Sequence, residues 1–365
     1  GMHLAPDFGL TVREIEQDGY DITERVEMVL ATDSAEGWAK SVGLGVLGFA
    51  QIFARRRPDI VLIVGDRLEL LSVGCAALPF RIPIAHVSGG DVTEGAVDNQ
   101  VRHAITKMSH IHFVAMKAHA ERLLQMGEEA WRVMVVGEPA LDLIRKTETL
   151  SREELGRTLG MALGHPVLVI TFHPTTLGSA SVEQEVDILL TALKRVDGTL
   201  IFTYPNADAG NRVIVNRIRE FAARQPMSGV FANLGRSKYY NLLTHADLMV
   251  GNSSSGIWEA PSFRLPVVNI GDRQQGRVRA RNVIDVSVDA DAIYGAIQHG
   301  LEPSIRAELS QIENPYGDGL AAGRIVKALK HLEPGVDVVR KRFVDRWVEE
   351  AGQPGVGAME SARLG

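Results

Sequence analysis

One cysteine among 365 residues, Cys75, leaves no possibility of an internal disulfide. That usage leads to the expectation of a reducing compartment, the cytoplasm. Cys75 lies in "LLSVGCAALPF" and is expected to be a small core residue. No run approaches the roughly 18 apolar residues of a membrane span, and no signal-peptide pattern opens the chain. Basic charge is not in excess: 39 Lys and Arg against 45 Asp and Glu give a net charge of −6. That balance argues against nucleic acid as a partner. His103 and the histidines of "SHIHF" (109–113) have no carboxylate or cysteine at ligand spacing, so no metal site is expected. The first residues, "GMHLAPDFGLTVREIEQDGYD", also lack the strand–turn–helix pattern that usually opens an α/β domain.

What the chain does have is alternation. Short apolar, β-branched runs at 24–30, 59–65, 82–87, 111–115 and 133–137 read as one series of strands. Runs at 166–172, 199–205, 229–233, 246–251 and 266–271 read as a second. Helical stretches lie between them, among them 34–57, 94–109, 117–126, 181–195 and 208–224. Strands with near-continuous Val, Ile and Leu are those buried on both faces of a parallel sheet. The fold class is therefore α/β, with two Rossmann-like domains at 1–150 and 151–332. A last helix is expected at 333–350, and the Gly- and Ala-rich tail 351–365 is expected to be disordered. "GLGVLG" (43–48) fits a dinucleotide-binding pattern, yet it falls inside a long helix, where its glycines are expected to permit close packing.

Ligands of open parallel sheets bind beyond the carboxyl ends of the strands, and unusual polar groups recur there. Asp66, Arg67 and Glu69 follow one strand, and His86, Gly89, Gly90 and Asp91 another. His173, Asn206 and the pair Asp272 and Arg273 follow others. "GNSSSG" (251–256) crosses from a strand to a helix start, where unpartnered amides and the hydroxyls of Ser253 and Ser254 suit a phosphate. Glu259, about one turn later, suits the paired hydroxyls of a ribose, and Arg273 can add a permanent guanidinium. On the other wall Asp66 and Asp98 are candidate acid–base groups. Asp98 with Arg102 could equally be a surface ion pair, and Asp66 with Arg67 a structural one.

Several of these segments together resemble the hydrolysing UDP-N-acetylglucosamine 2-epimerases of bacterial nonulosonic (sialic-type) acid synthesis. They are "GDRLE" (65–69), "HVSGGDVTEGAVDNQVRHAITKMSH" (86–110), "FHP" (172–174), "PNAD" (205–208) and the long stretch 251–286. The resemblance covers roughly residues 1–345. It implies the B-type glycosyltransferase fold, two domains facing across a cleft. It also implies cleavage of UDP-GlcNAc to UDP and N-acetylmannosamine by elimination to a glycal and hydration. Close relatives act on a 6-deoxy-2,4-diacetamido sugar nucleotide instead. Asp66, Asp98, His173 and Asp91 are the implied catalytic residues, with Asp98 taking the C2 proton. Arg67, His86, Asn206, Ser253, Ser254, Glu259 and Arg273 match positions that bind UDP or substrate. The chemistry requires no metal or nicotinamide, so no cofactor is expected, and family members associate as dimers or tetramers.

Two departures stand out. Some members carry a carboxylate where this chain has Ser88, which leaves the second half-reaction to Asp91 or water. Family members also begin with a strand and a Gly-Thr/Ser-Arg-Ala loop before a segment like "GMHL", so the first domain is expected to be N-terminally truncated. A non-catalytic sugar-nucleotide-binding relative, a non-hydrolysing epimerase and a B-type glycosyltransferase remain as alternatives.

Overall fold

Val167–Thr171 is buried along its whole length, which explains why its sequence is an unbroken apolar run rather than an alternation. Leu168 and Ile170 face a core shared with helices Val182–Leu193 and Ala290–Gly300. Val167 and Val169 face the opposite core, with Leu155, Leu242 and Leu265. Each such side chain removed from water contributes about 1.5–3 kcal/mol. The same logic builds the whole molecule. The computed structural model describes residues 1–32, 34–175, 181–206, 210–332 and 336–346.

Among these residues the strands form two all-parallel sheets. The first has the order β1-β2-β3-β4, with β1 Val61–Val64, β2 Ile84–Val87, β3 Ile111–Val114 and β4 Val133–Val135. The second runs β10-β9-β8-β5-β6-β7. Its members are β5 Val167–Thr171, β6 Thr199–Thr203, β7 Ser228–Phe231, β8 Leu248–Gly251, β9 Val267–Ile270 and β10 Val283–Val286. The expected two-domain α/β architecture is present, and the expected strands are reproduced to within two residues at each end, with one exception. Strand β10 was not anticipated, being a short, half-buried edge strand interrupted by Asp285.

The exception is 24–30, which pairs with no strand among the described residues. It runs extended over helix Ala35–Arg56, with Val26 against Gly48 and Met28 against Gly45. A Cβ on Gly45 would lie 2.6 Å from the Met28 methyl and 2.5 Å from Ser72 Oγ. The glycines of "GLGVLG" therefore serve packing. At the edge strand β1, Leu62 and Val64 are exposed. Cys75 is also exposed and not a core residue. Helix Leu68–Ala77 packs Ser72, Val73, Gly74, Ala76 and Ala77 inward, which turns Cys75 outward.

The end of the chain differs from expectation as well. Helix Ala321–Lys330, placed by the sequence in the second domain, packs on the first sheet, where Ile325 joins Ala85, Val87, Phe113 and Val338. Of the expected helix 333–350, residues 333–335 and 347–350 lie outside the described residues, and the rest is a single turn, Val336–Val339, followed by 340–346 without regular structure. Its cause is Arg132, a buried side chain. Its guanidinium donates to the carbonyls of Asp337, Val338 and Arg340 at 3.1, 2.7 and 2.8 Å, which removes acceptors that a continuing helix would need. Lys341 Nζ then meets Glu128 at 2.7 Å, and the Val344 amide donates to Gly127 O. The expected disordered tail, 351–365, lies outside the described residues. No helix among the described residues is long and apolar enough to cross a membrane.

Arg132→Ala leaves those carbonyls without their charged donor. It is expected to lower unfolding stability by about 3 kcal/mol or more in urea titration, and to make 336–346 accessible to limited proteolysis.

Candidate active site

The carboxyl ends of the two sheets enclose one cleft of about 680 Å³. Asp66, Arg67 and Asp98 line it from the first domain, and His173, Asn206, Ser253, Ser254, Glu259 and Arg273 from the second. Arg67 crosses the gap, donating from Nη2 to Asn206 Oδ1 at 2.8 Å. Asp98 Oδ2 and Arg273 Nη2 face each other across it at 3.8 Å.

The two cleft carboxylates are not equivalent. Asp66 accepts two hydrogen bonds from the fully buried Arg102, from Nε at 2.9 Å and from Nη2. Burial alone would raise the Asp66 pKa, but Arg102, Arg277 and Arg67 outweigh it and hold the group below its ordinary range. Asp98, at the start of helix Asp98–Met108, has no such clamp, and its Oδ2 accepts no hydrogen bond. Burial and the charge of Asp66 push its pKa up, against the weaker pull of Arg273. A carboxylate made more basic in a cleft is suited to accept a proton.

The opposite wall rests on Gly251 and Asn252. Gly251 has φ +138°, and a Cβ there would lie 1.9 Å from Thr171 O, so only glycine lets β8 leave the sheet so close to β5. Asn252 accepts the His173 amide at 2.7 Å and returns a bond to His173 O at 2.9 Å. Its own carbonyl accepts Arg273 Nη1 at 3.2 Å and Gln274 Nε2 at 2.7 Å. The helix expected after the serines is one turn, Ser255–Trp258, because Pro261 brings no amide to extend it and a 3-10 turn Ala260–Phe263 follows. Tyr239 OH bonds Ser255 Oγ at 2.5 Å, and Tyr240 OH donates to Glu259 Oε1 at 2.9 Å. Burial raises the Glu259 pKa against hydrogen bonds from the Ser255 and Tyr240 hydroxyls. His173 is kept neutral by burial and by Arg273 and Arg67. Its Nδ1 accepts the Asn206 amide at 3.0 Å, which places the ring proton on Nε2.

Residues 1–330 match the family described as UDP-N-acetylglucosamine 2-epimerase. The chain belongs to that family. It is 40% identical over 301 residues to a GDP/UDP-N,N'-diacetylbacillosamine 2-epimerase (hydrolyzing) of Campylobacter jejuni, covering 82% of this chain and 78% of that one. It is 36% identical over 341 residues to a UDP-N,N'-diacetylbacillosamine 2-epimerase (hydrolyzing) of Legionella pneumophila, covering 93% and 89%. A solved structure of UDP-GlcNAc 2-epimerase from Neisseria meningitidis superposes with a TM-score of 0.74 at 15% identity, over 88% of each chain, which shows the shared fold.

Within this member of the epimerase family, two expected site residues lie elsewhere. His86 is buried beneath the cleft, its Nε2 bonded to Gly65 O at 2.9 Å, and burial lowers its pKa to about 4. It supports the backbone before Asp66 rather than lining the cleft. Asp91 is also buried and away from the cleft wall, 3.3 Å from His119 and 3.2 Å from Arg277. Arg277, which lines the cleft, was missed by sequence reasoning, as were Tyr239, Tyr240 and Trp258 on its wall and Asn252 behind His173. Arg277 lay within the stretch 251–286 that carried the resemblance, so its position was the available signal. Among the described residues no group of three or more His, Cys, Asp or Glu is placed to hold a metal ion.

Because the folded protein raises the Asp98 pKa, the stability tied to its neutral form is complete at low pH and lost as pH rises through the folded value. Asp98→Asn is therefore expected to melt above the wild type at neutral pH, with the gap closing as pH falls toward about 4. Differential scanning calorimetry across that range checks it.

Proposed function

We propose that the protein is a hydrolysing 2-epimerase of a UDP-linked 2-acetamido sugar. The observation that carries this reading is Asp98: a basic carboxylate without a hydrogen-bonding partner on Oδ2, in one cleft with Ser253, Ser254, Glu259 and Arg273. Asp98 takes the C2 proton while the C1–O bond to UDP breaks, and the electron pair forms the C1=C2 bond of a glycal. Water then adds its hydroxyl to C1, and a proton returns to C2 on the opposite face. The products are UDP and the free 2-epimeric sugar. Arg67, Arg273 and Arg277 provide fixed positive charge for the departing diphosphate, which is where negative charge grows. His173 Nε2–H is a further donor, and Glu259 suits the ribose hydroxyls.

The relatives at 40% and 36% identity favour the 2,4-diacetamido-6-deoxy sugar nucleotide as substrate. UDP-GlcNAc, giving N-acetylmannosamine, is the second reading, favoured by 30% identity to the UDP-N-acetylglucosamine 2-epimerase of Neisseria meningitidis.

Incubation with each sugar nucleotide, followed by NMR of the products, is expected to show free UDP and the free 2-epimer from one of them. A UDP-linked epimer in its place would assign the protein to the non-hydrolysing class. Asp98→Asn is expected to slow C2 proton exchange with solvent by ~10²–10⁴-fold. UDP affinity by calorimetry should stay within a few-fold, since Asp98 faces the sugar.

A further inference from the structure

Ser88 holds a left-handed backbone, φ +65°, which is unfavourable for a residue other than glycine and must be imposed by its surroundings. Its amide donates to Phe113 O at 2.9 Å, and its hydroxyl donates to Glu138 Oε2 at 2.8 Å. Glu138 follows β4 and is buried. From Ser88 the chain makes the tight Gly89–Gly90 turn, where a Cβ on Gly90 would lie 2.5 Å from His119 O. The turn delivers Asp91. The Asp91 carbonyl accepts Arg102 Nη1 at 3.0 Å, and its carboxylate faces Arg277 Nε at 3.2 Å. Arg102 in turn clamps Asp66, and Arg277 lines the cleft. One turn, pinned at Ser88, thus anchors both arginines.

We propose that Glu138 is a positioning residue, acting through Ser88 and the 88–91 turn on Arg102 and Arg277. The proposal rests on the reaction proposed above. The groups facing Glu138 are Asp91 from the loop after β2, Glu259 after the turn Ser255–Trp258, and Tyr316, whose carbonyl accepts the Glu138 amide at 2.8 Å. His119 and Arg277 face Asp91, and Glu138 forms no salt bridge among the described residues. Burial, reinforced by the charges of Asp91 and Glu259, pushes the Glu138 pKa up to about 7, although hydrogen bonds from Ser88 and the Ala140 amide oppose this. Ionisation sets a second negative charge near the buried Asp91, and repulsion between the two carboxylates displaces the 88–91 turn that anchors Arg102 and Arg277.

Glu138→Gln keeps an acceptor for Ser88 and cannot ionise. Wild-type kcat is expected to fall above about pH 7, by about tenfold per pH unit at the limit, whereas E138Q stays level between about pH 6 and 8. Ser88→Ala removes the bond that pins the turn, so its plateau is expected about tenfold lower, and because that bond lowers the Glu138 pKa its alkaline limb is expected at higher pH. The folded pKa is raised, so stability tied to neutral Glu138 is lost as pH rises through about 7. E138Q should therefore melt increasingly above the wild type from about pH 5 to 8. An E138Q rate profile with the wild-type alkaline limb, or a melting difference independent of pH, overturns the proposal. If the wild type releases UDP from neither sugar nucleotide, the reaction is wrong. Calorimetry with UDP then decides the role of Glu138: wild-type affinity falling above about pH 7 but constant in E138Q supports it, and parallel profiles reject it.

Discussion

Arg102 is a fully buried guanidinium, and the chemistry of the cleft depends on how its charge is met. An unpaired charge in such a place is prohibitively costly, and removing one partner of a buried pair typically costs about 3–5 kcal/mol. Asp66 supplies the counter-charge, while the Asp91 carbonyl, Asn99 Oδ1 and Thr93 Oγ1 accept the remaining N–H groups. Asp66 is therefore committed as an anion. Asp98 then shares the cleft with a fixed negative charge and cannot ionise as readily. Two carboxylates of the same type thus part in basicity: Arg102 fixes Asp66 as an anion, while burial and the charge of Asp66 raise the Asp98 pKa.

The fold was legible because parallel sheets buried on both faces demand continuous apolar runs, and those runs are conspicuous in "VLVIT" and "IAHV". The cleft was legible for a related reason: polar residues directly after such runs can only sit at the sheet's carboxyl edge. Asp66, His173, Asn206 and Arg273 were found in this way. Position after a strand does not say whether a side chain points into the cleft or back into the protein. His86 and Asp91 were misplaced for that reason, one within β2 and the other just beyond it. The i, i+4 spacing of Asp98 and Arg102 suggested a local ion pair, but Arg102 reaches Asp66, 36 residues earlier in the chain. Ser88 and Glu138, 50 residues apart, show the same limit. Helical spacing and motif order carry local geometry, whereas these pairings are set by which strands adjoin.

The end of the chain was misread for a different reason. "EPGVDVVRKRF" has helix-forming residues, and propensity is a weak prior when tertiary contacts compete. Arg132 and Glu128 supply those contacts, drawing carbonyls and Lys341 onto the first domain. The return of the chain also places Tyr316 against Glu138 and seats the amides of Ala321 and Ala322 on the buried Asp142 at 2.8 and 2.7 Å.

Contacts across the cleft itself are polar, Arg67 with Asn206 and Asp98 with Arg273, and away from it Asp91 meets Arg277. On the proposed reading this has a chemical consequence. Arg273 is one of the cations that lower the pKa of Asp98 in the empty cleft. A diphosphate engaged by Arg273 brings negative charge to that guanidinium and offsets its pull on Asp98, 3.8 Å away. Asp98 becomes more basic as the leaving group is gripped, and the C2 proton is then met by a stronger acceptor. Departure of UDP restores the pull of Arg273 and makes Asp98 a better acid. Binding of the anion thereby strengthens the base for elimination, and its release lets Asp98 shed the abstracted proton to solvent, while the proton that reaches C2 on the opposite face comes from another donor.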